Sequence, residues 1–173
     1  MEKVNLGGGR QSYEHPGYVS VDRIKSDGVN IVWDLESGLP KKFIHDLVSS
    51  SGSYGPTYEV SVFPDDSVDE FLSKHCFEHV RNLLPLMDEI WDALKPDGTL
   101  HVMVPNGHHI RAAYSDPTHV RTFVPETFQY WTQESLNAYP YTDKAWRIHD
   151  GYPKVNGADD DWWEIEVKMS PVK

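Results

Sequence analysis

The spacing of apolar and polar positions changes several times along the chain, and each change marks an element. Glu2–Leu6, Val19–Val21 and Val29–Trp33 are short apolar runs. The first enters Gly7, Gly8 and Gly9, and the next two end at Asp22 and Asp34. Short runs of this kind, bounded by turn residues, predict strands. In Lys41–Ser50, Phe43, Ile44, Leu47 and Val48 fall at helical spacing and predict a short helix. Ser49–Pro56 reads as a Ser/Gly/Pro loop, Tyr58–Phe63 as an extended segment, and Pro64–Ser67 as a turn before a strand at Val68–Ser73. The strongest helix follows, with Leu83, Leu84, Met87, Ile90, Trp91 and Leu94 as one apolar stripe. Pro85 is tolerated in its first turn, and Lys95-Pro96-Asp97-Gly98 stops it.

Thr99–Val104 predicts the next strand, entering Pro105-Asn106-Gly107. His108–Tyr114 has room for one or two helical turns, and Pro125–Leu136 predicts a helix whose apolar residues are Phe128, Tyr130 and Trp131. Lys144–Asp150 and Asp161–Met169 are strand-like, separated by a Pro/Gly/Asp loop, and are expected to pair antiparallel. Strands alternating with helices, then a closing hairpin, predict an α/β fold with a mainly parallel sheet. The link Arg10–Gly17 is shorter than the dozen residues a parallel crossover normally uses, so the helix usual at that place is expected to be missing or reduced to a turn.

Composition narrows the function classes. A chain of 173 residues with 39% hydrophobic and 25% charged positions fits one globular domain. The formal net charge of −11 disfavours a general nucleic-acid binder. Cys76 is the only cysteine, so no intrachain disulfide forms. There is no long apolar run. The expectation is a cytoplasmic, membrane-free protein. Glycines after a first strand let backbone approach a ligand closely, and an acid at the tip of the next strand can accept both hydroxyls of a ribose. The order G-G-G is not G-x-G-x-x-G, and by itself it is more often a plain flexible turn.

Taken in series, the motifs Val4–Gly9, Gly17–Asp22, Asp34–Pro40, Asp66–Glu70, His75–His79, Leu94–Leu100 and Asp116–Phe123 resemble the class I S-adenosylmethionine-dependent methyltransferases, in their small bacterial and phage type-11-like branch. The resemblance covers about the first three quarters of the chain. It implies a Rossmann-like three-layer sandwich with a C-terminal antiparallel strand pair, and S-adenosylmethionine at the carboxyl ends of the strands. It also implies roles. Gly7, Gly8 and Gly9 would line the methionine part of the cofactor, Asp22 the ribose, and Asp34 with the Leu35 backbone the adenine edge. Ser73 and His75 would face the sulfonium, with Asn106, His108 and His109 at the edge of the acceptor pocket. Lys41–Phe63 is longer than the branch has there, as an added lid, an oligomer contact or a surface excursion.

Nine histidines bring the remaining chemistry. His75-Cys76-Phe77-Glu78-His79 matches H-x-x-E-H, the inverted zinc-peptidase signature, which needs both histidines one turn apart on a helix and a third ligand further on. Its position after a strand speaks against that reading, and no metal is expected. His101 reads as structural. Asp116-Pro117-Thr118-His119-Val120-Arg121 gathers an acid, a hydroxyl, an imidazole and a guanidinium within one turn-like segment. It reads either as a structural turn capped by Asp116 or as chemistry. In the chemical reading His119 is the first choice of base for a hydroxyl acceptor and His75 the second, Asp116 orients, and Arg121 binds substrate. The expected activity is methyl transfer from S-adenosylmethionine to a small molecule, a sugar or a protein side chain. A cofactor-binding protein without turnover is the alternative from a different class.

Overall fold

The computed structural model describes residues 2–9, 14–47, 54–157 and 163–173. Eight strands form one mixed sheet in the order β3-β2-β1-β6-β7-β10-β8, with β9 also paired to β10. These are β1 (Lys3–Leu6), β2 (Val19–Asp22), β3 (Ile31–Val32), β6 (Val68–Lys74), β7 (Leu94–Pro105), β8 (Trp146–Ile148), β9 (Lys154–Asn156) and β10 (Glu164–Pro171). The half from β3 to β7 is parallel. β10 runs antiparallel to β7, β8 and β9. The expected architecture is therefore present: a mainly parallel sheet closed by antiparallel strands, with helices flanking it. No helix among the described residues is long and apolar enough to cross a membrane.

The core lies where the sheet meets α1 (Leu83–Ala93). Val4, Leu6, Phe71, Leu100, Val102 and Val104 from the parallel half are sealed from solvent, as are Ile165, Val167 and Met169 from β10. The buried face of α1 is Leu83, Leu86, Met87, Ile90 and Ala93. This corrects the predicted stripe at two positions. Leu84 is 44% exposed, and Leu86 takes the inward place. Trp91 lies at the margin, where its indole Nε1 donates to the Ala145 carbonyl at 2.8 Å. The helix stops at Ala93 because Leu94 is already extended and pairs with Val68, so β7 starts well before Thr99.

The described part of the segment predicted helical at Lys41–Ser50 is not a helix. It is β4 (Lys41–Leu47), which pairs antiparallel with β5 (Tyr54–Ser61) as a separate two-stranded sheet, from Lys41↔Ser61 to Leu47↔Tyr54. Apolar positions a few residues apart do not distinguish a short helix from a strand, and a nearby pairing partner decides the matter. The Val62 amide donates to the Pro40 carbonyl at 2.7 Å and ties the hairpin's base. Pro125–Leu136 is likewise divided. A 3-10 helix at Pro125–Trp131 and α3 (Gln133–Ala138) flank Thr132, which is extended and bridges Trp146. Phe128 and Trp131 are buried there, but Tyr130 is exposed. β9 arises in what reads as a Pro/Gly/Asp loop. Of the link Arg10–Gly17, positions 10–13 lie outside the described residues, and 14–17 make turns.

Candidate functional site

The parallel half brings its loops to one end, and a cleft of about 530 Å³ opens there. Its wall includes Gly7 after β1, Asp22 to Ile24 after β2, Trp33 to Glu36 after β3, and His75 and Cys76 after β6. His79 to Arg81 and Pro117, Thr118 and Val120 close the other side.

Gly7 has φ +71°, and a β-carbon on it would lie 2.5 Å from the Cys76 Sγ. Only glycine fits a backbone position that is both left-handed and this close to a neighbour. Gly8 and Gly9 continue the turn, and Gly9 also has positive φ (+50°). Asp22 ties that turn to β2: Oδ2 accepts from the Gly9 amide at 2.9 Å, and Oδ1 accepts from the Ile24 amide at 2.7 Å. Two amides fix the carboxylate's orientation and leave lone pairs on both oxygens. Asp34 is held similarly by the Glu36 amide at the start of the 3-10 turn Leu35–Ser37. Glu36 in turn accepts from the Arg81 and Asn82 amides just before α1, so the cleft's two sides are joined.

At the end of β6, Ser73 is fully buried. His75 has the left-handed φ of +50°, which an L side chain adopts only when its surroundings hold it. What holds it is visible. Its ring stacks on Trp163 with centroids 5.7 Å apart, Nδ1 lies 3.6 Å from the Glu78 Oε1, and Nε2 lies 3.0 Å from the Glu164 Oε2. The Glu78 carboxylate, with Glu164, raises the imidazole's pKa against the opposing effect of burial. Cys76 is buried behind Gly7, and burial pushes its thiol up to about 12.

The H-x-x-E-H stretch is not an α-helix. Cys76 is irregular and Phe77–His79 is one 3-10 turn. The helical two-histidine geometry of a zinc peptidase is therefore not formed. Glu78 points inward instead, 1% exposed, toward His75, His79 and His119.

The Asp116–Arg121 segment docks on this turn. Asp116 Oδ1 accepts from the Thr118 amide (2.8 Å) and hydroxyl (2.6 Å). The Val120 amide donates to the Glu78 carbonyl at 2.9 Å. Arg121 donates from Nε to the Val80 carbonyl (3.0 Å) and from Nη2 to the Arg81 carbonyl (2.6 Å). His119 stands behind the cleft wall, with Nδ1 at 2.9 Å from the Ala113 carbonyl. Asn106 is buried at the end of β7, and its Oδ1 accepts from the His108 amide at 3.0 Å. His109 caps α2 (Ile110–Tyr114) through Nδ1, which accepts from the Ala112 amide at 3.0 Å.

Of the residues singled out by sequence, Gly7, Asp22, Asp34, Leu35 and His75 converge on the cleft. Gly8, Gly9 and Ser73 adjoin it. His119, Asp116, Arg121, Asn106, His108 and His109 are not among its lining residues. His101, read as structural, pairs with Glu166 across β7 and β10 at 2.8 Å. Reading the sequence missed Ile24, Trp33, Glu36, Arg81 and Thr118 as cleft residues. The first three follow or flank the two strand-end acids closely, and that proximity was the available signal.

A model of the methyltransferase-domain family matches residues 53–102, which include β5, β6, α1 and the first part of β7. No curated protein matches the chain. Solved structures do resemble it. An S-adenosylmethionine-dependent methyltransferase from Archaeoglobus fulgidus superposes with a TM-score of 0.56 at 16% identity, over 98% of this chain and 85% of that one. The 1,6-didemethyltoxoflavin-N1-methyltransferase of Burkholderia thailandensis, solved with its substrate and S-adenosylhomocysteine, gives 0.56 at 12% identity over 99% and 71%. The methyltransferase solved with the Trm112 activator of Haloferax volcanii gives 0.54 at 15% identity over 98% and 81%.

Proposed function

We propose that this chain, which has the class I S-adenosylmethionine-dependent methyltransferase fold, binds S-adenosylmethionine in the cleft at the ends of β1, β2, β3 and β6 and directs its methyl group to an acceptor. The observation that carries the reading is the convergence of a glycine turn with two strand-end carboxylates, each already oriented by backbone amides. The fit is specific. Gly7 lines the cleft without a side chain, and Cys76 packs where its β-carbon would lie. Asp22 keeps acceptor capacity for the two ribose hydroxyls, and Asp34 with the Leu35 backbone suits the adenine edge. Ile24 and Trp33 offer apolar surface beside them. Gly7, Gly8 and Gly9 take the methionine part, and Ser73 and His75 border the sulfonium end.

When bound, the cofactor supplies a methyl carbon already activated by its sulfonium. The protein's task is then chiefly to hold an acceptor in line and keep water away. His75, held between two carboxylates, places a rigid ring at that end. His79, Thr118 and Val120 form the acceptor-side wall, and Asp116 and Arg121 fix it from behind. The proposed acceptor is a small molecule, a sugar or a protein side chain. The acidic chain argues against a nucleic acid, and the lone buried cysteine suits the cytoplasm. Both His75 nitrogens face carboxylates and His119 lies behind the wall. This arrangement favours an acceptor that needs no strong base, such as an amine. It also supports a second reading, cofactor binding without turnover.

Titration calorimetry with S-adenosylmethionine and S-adenosylhomocysteine tests the proposal. The expected outcome is one site per chain. Asp22→Ala should weaken it by the worth of charge-assisted hydrogen bonds, about 1.5–3 kcal/mol each before compensation. No binding of either ligand by the wild-type protein would overturn both readings. Turnover of the cofactor with an acceptor panel then separates them.

A further inference from the structure

We propose that Glu78, His79 and His119 form a binding site for a divalent metal ion of the zinc type, in the wall between the cleft and the Asp116–Arg121 segment. One ligand atom from each residue lies within 4.8 Å of the others. Glu78 Oε1 is 3.9 Å from His79 Nε2 and 4.0 Å from His119 Nε2. An ion bound at about 2.0–2.2 Å from each ligand needs ligand atoms about 3–4 Å apart, so these spacings require little closure.

Two independent features point to a cation. The first is Glu78 itself. It is 1% exposed, and neither carboxylate oxygen has a hydrogen-bond partner. A buried, unpartnered carboxylate is costly unless a positive charge sits against it. His75 is its remaining charged neighbour, but the closer contact of that ring is with Glu164.

The second feature is how the two imidazoles are held. His119 Nδ1 faces the Ala113 carbonyl at 2.9 Å. A carbonyl only accepts, so Nδ1 carries the proton and Nε2 of the neutral ring holds a lone pair. His79 Nδ1 faces the Thr118 carbonyl at 3.3 Å and its hydroxyl at 3.0 Å, and that hydroxyl donates onward to Asp116. Both Nε2 lone pairs are thereby aimed toward the Glu78 carboxylate. Three electron-rich atoms facing one another repel unless a cation lies among them. Imidazoles fixed through Nδ1 by carbonyl or hydroxyl partners are the usual outer shell of metal-ligating histidines. Three protein ligands leave one position open on a four-coordinate ion. The ion would also cross-link the turn after β6 to the segment that closes the acceptor side.

The site uses the acid and second histidine of H-x-x-E-H with a distant His119, not the motif's two histidines together. It does not depend on methyl transfer, and its readout needs no cofactor. The test is titration of chelator-treated, full-length protein with zinc sulfate by calorimetry, and with cobalt(II) by visible absorption. The wild-type chain is expected to take up one equivalent. Glu78→Gln, His79→Asn and His119→Gln should each weaken binding at least tenfold. Thr118→Val, which removes only the hydroxyl behind His79, should weaken it by about 10- to 100-fold. His149→Gln, remote from the cluster, should leave it unchanged. His79→Cys separates ligation from packing, because a ligating thiolate adds a charge-transfer band to the cobalt spectrum. Absence of stoichiometric uptake by the wild-type protein overturns the proposal and assigns the cluster to protonated imidazoles. Unchanged affinity in Glu78→Gln, or a His79→Cys complex without the thiolate band, overturns it as well.

Discussion

The conformation of Gly7 sets the tightest single-residue constraint on the cleft. Its positive φ and its closeness to Cys76 both exclude a side chain. Gly7→Ala should therefore lower the melting temperature and abolish detectable cofactor binding, whereas Gly17→Ala, also at positive φ but with no atom near the added methyl, should cost stability alone. Thermal denaturation and calorimetry on the two variants check this contrast. Residue chemistry pointed to Gly7 and Asp22 as cleft residues, because backbone access and ribose acceptors are supplied by only a few residue types, whereas Asp34 came through the resemblance. The inward turn of Glu78 was not legible. It depends on the left-handed backbone at His75 and the 3-10 turn that follows, and a positive φ at histidine leaves no mark in the pattern of apolar positions.

At the scale of elements, α1 and the β7–β10 pair supply many of the residues sealed in the core. Ile90 is fully buried on α1, and Ile90→Ala should destabilise by about 2–5 kcal/mol in urea unfolding. On β7, burial lowers the pKa of His101, with Glu166 opposing that effect. A histidine whose folded pKa is depressed takes up its proton more readily in the unfolded chain. Its stabilising contribution is complete above the unfolded value of about 6.5 and is lost as pH falls through the folded one. The melting temperature at pH 5.5 minus that at pH 7.5 should be more positive for His101→Gln than for the wild type, the opposite effect of His75, whose pKa is raised, being common to both. Elements of strong single period, such as α1, were readable. Lys41–Leu47 was not, since only its pairing with Tyr54–Ser61 makes it a strand, and pairing is a non-local fact.

At the scale of the whole molecule, the mainly parallel sheet followed from strands alternating with helices, and the antiparallel pairing of the last two strand-like runs from their closeness in sequence. The order β3-β2-β1-β6-β7 and the insertion of β10 between β7 and β8 did not, because nothing local states which strands become neighbours. The β4–β5 hairpin belongs to neither half of the main sheet. Two-stranded sheets add little independent stability. Replacing residues 43–59 with a short Gly-Ser turn should leave a cooperative thermal transition near that of the parent, and circular dichroism with melting curves would reveal any loss of the eight-stranded sheet.

The place of β10 has a consequence for synthesis. β7 gains its outer neighbour, and His75 gains Trp163 and Glu164, only from chain made after every strand of the parallel half. Until then the growing polypeptide presents a long apolar strand edge, the kind of template on which other chains pair. A chain made only as far as residue 162 would hold the whole sequence of the parallel sheet, but no Trp163 or Glu164 against His75 and an uncovered flank on β7. The support of His75 and the protection of that edge thus arrive together, with β10.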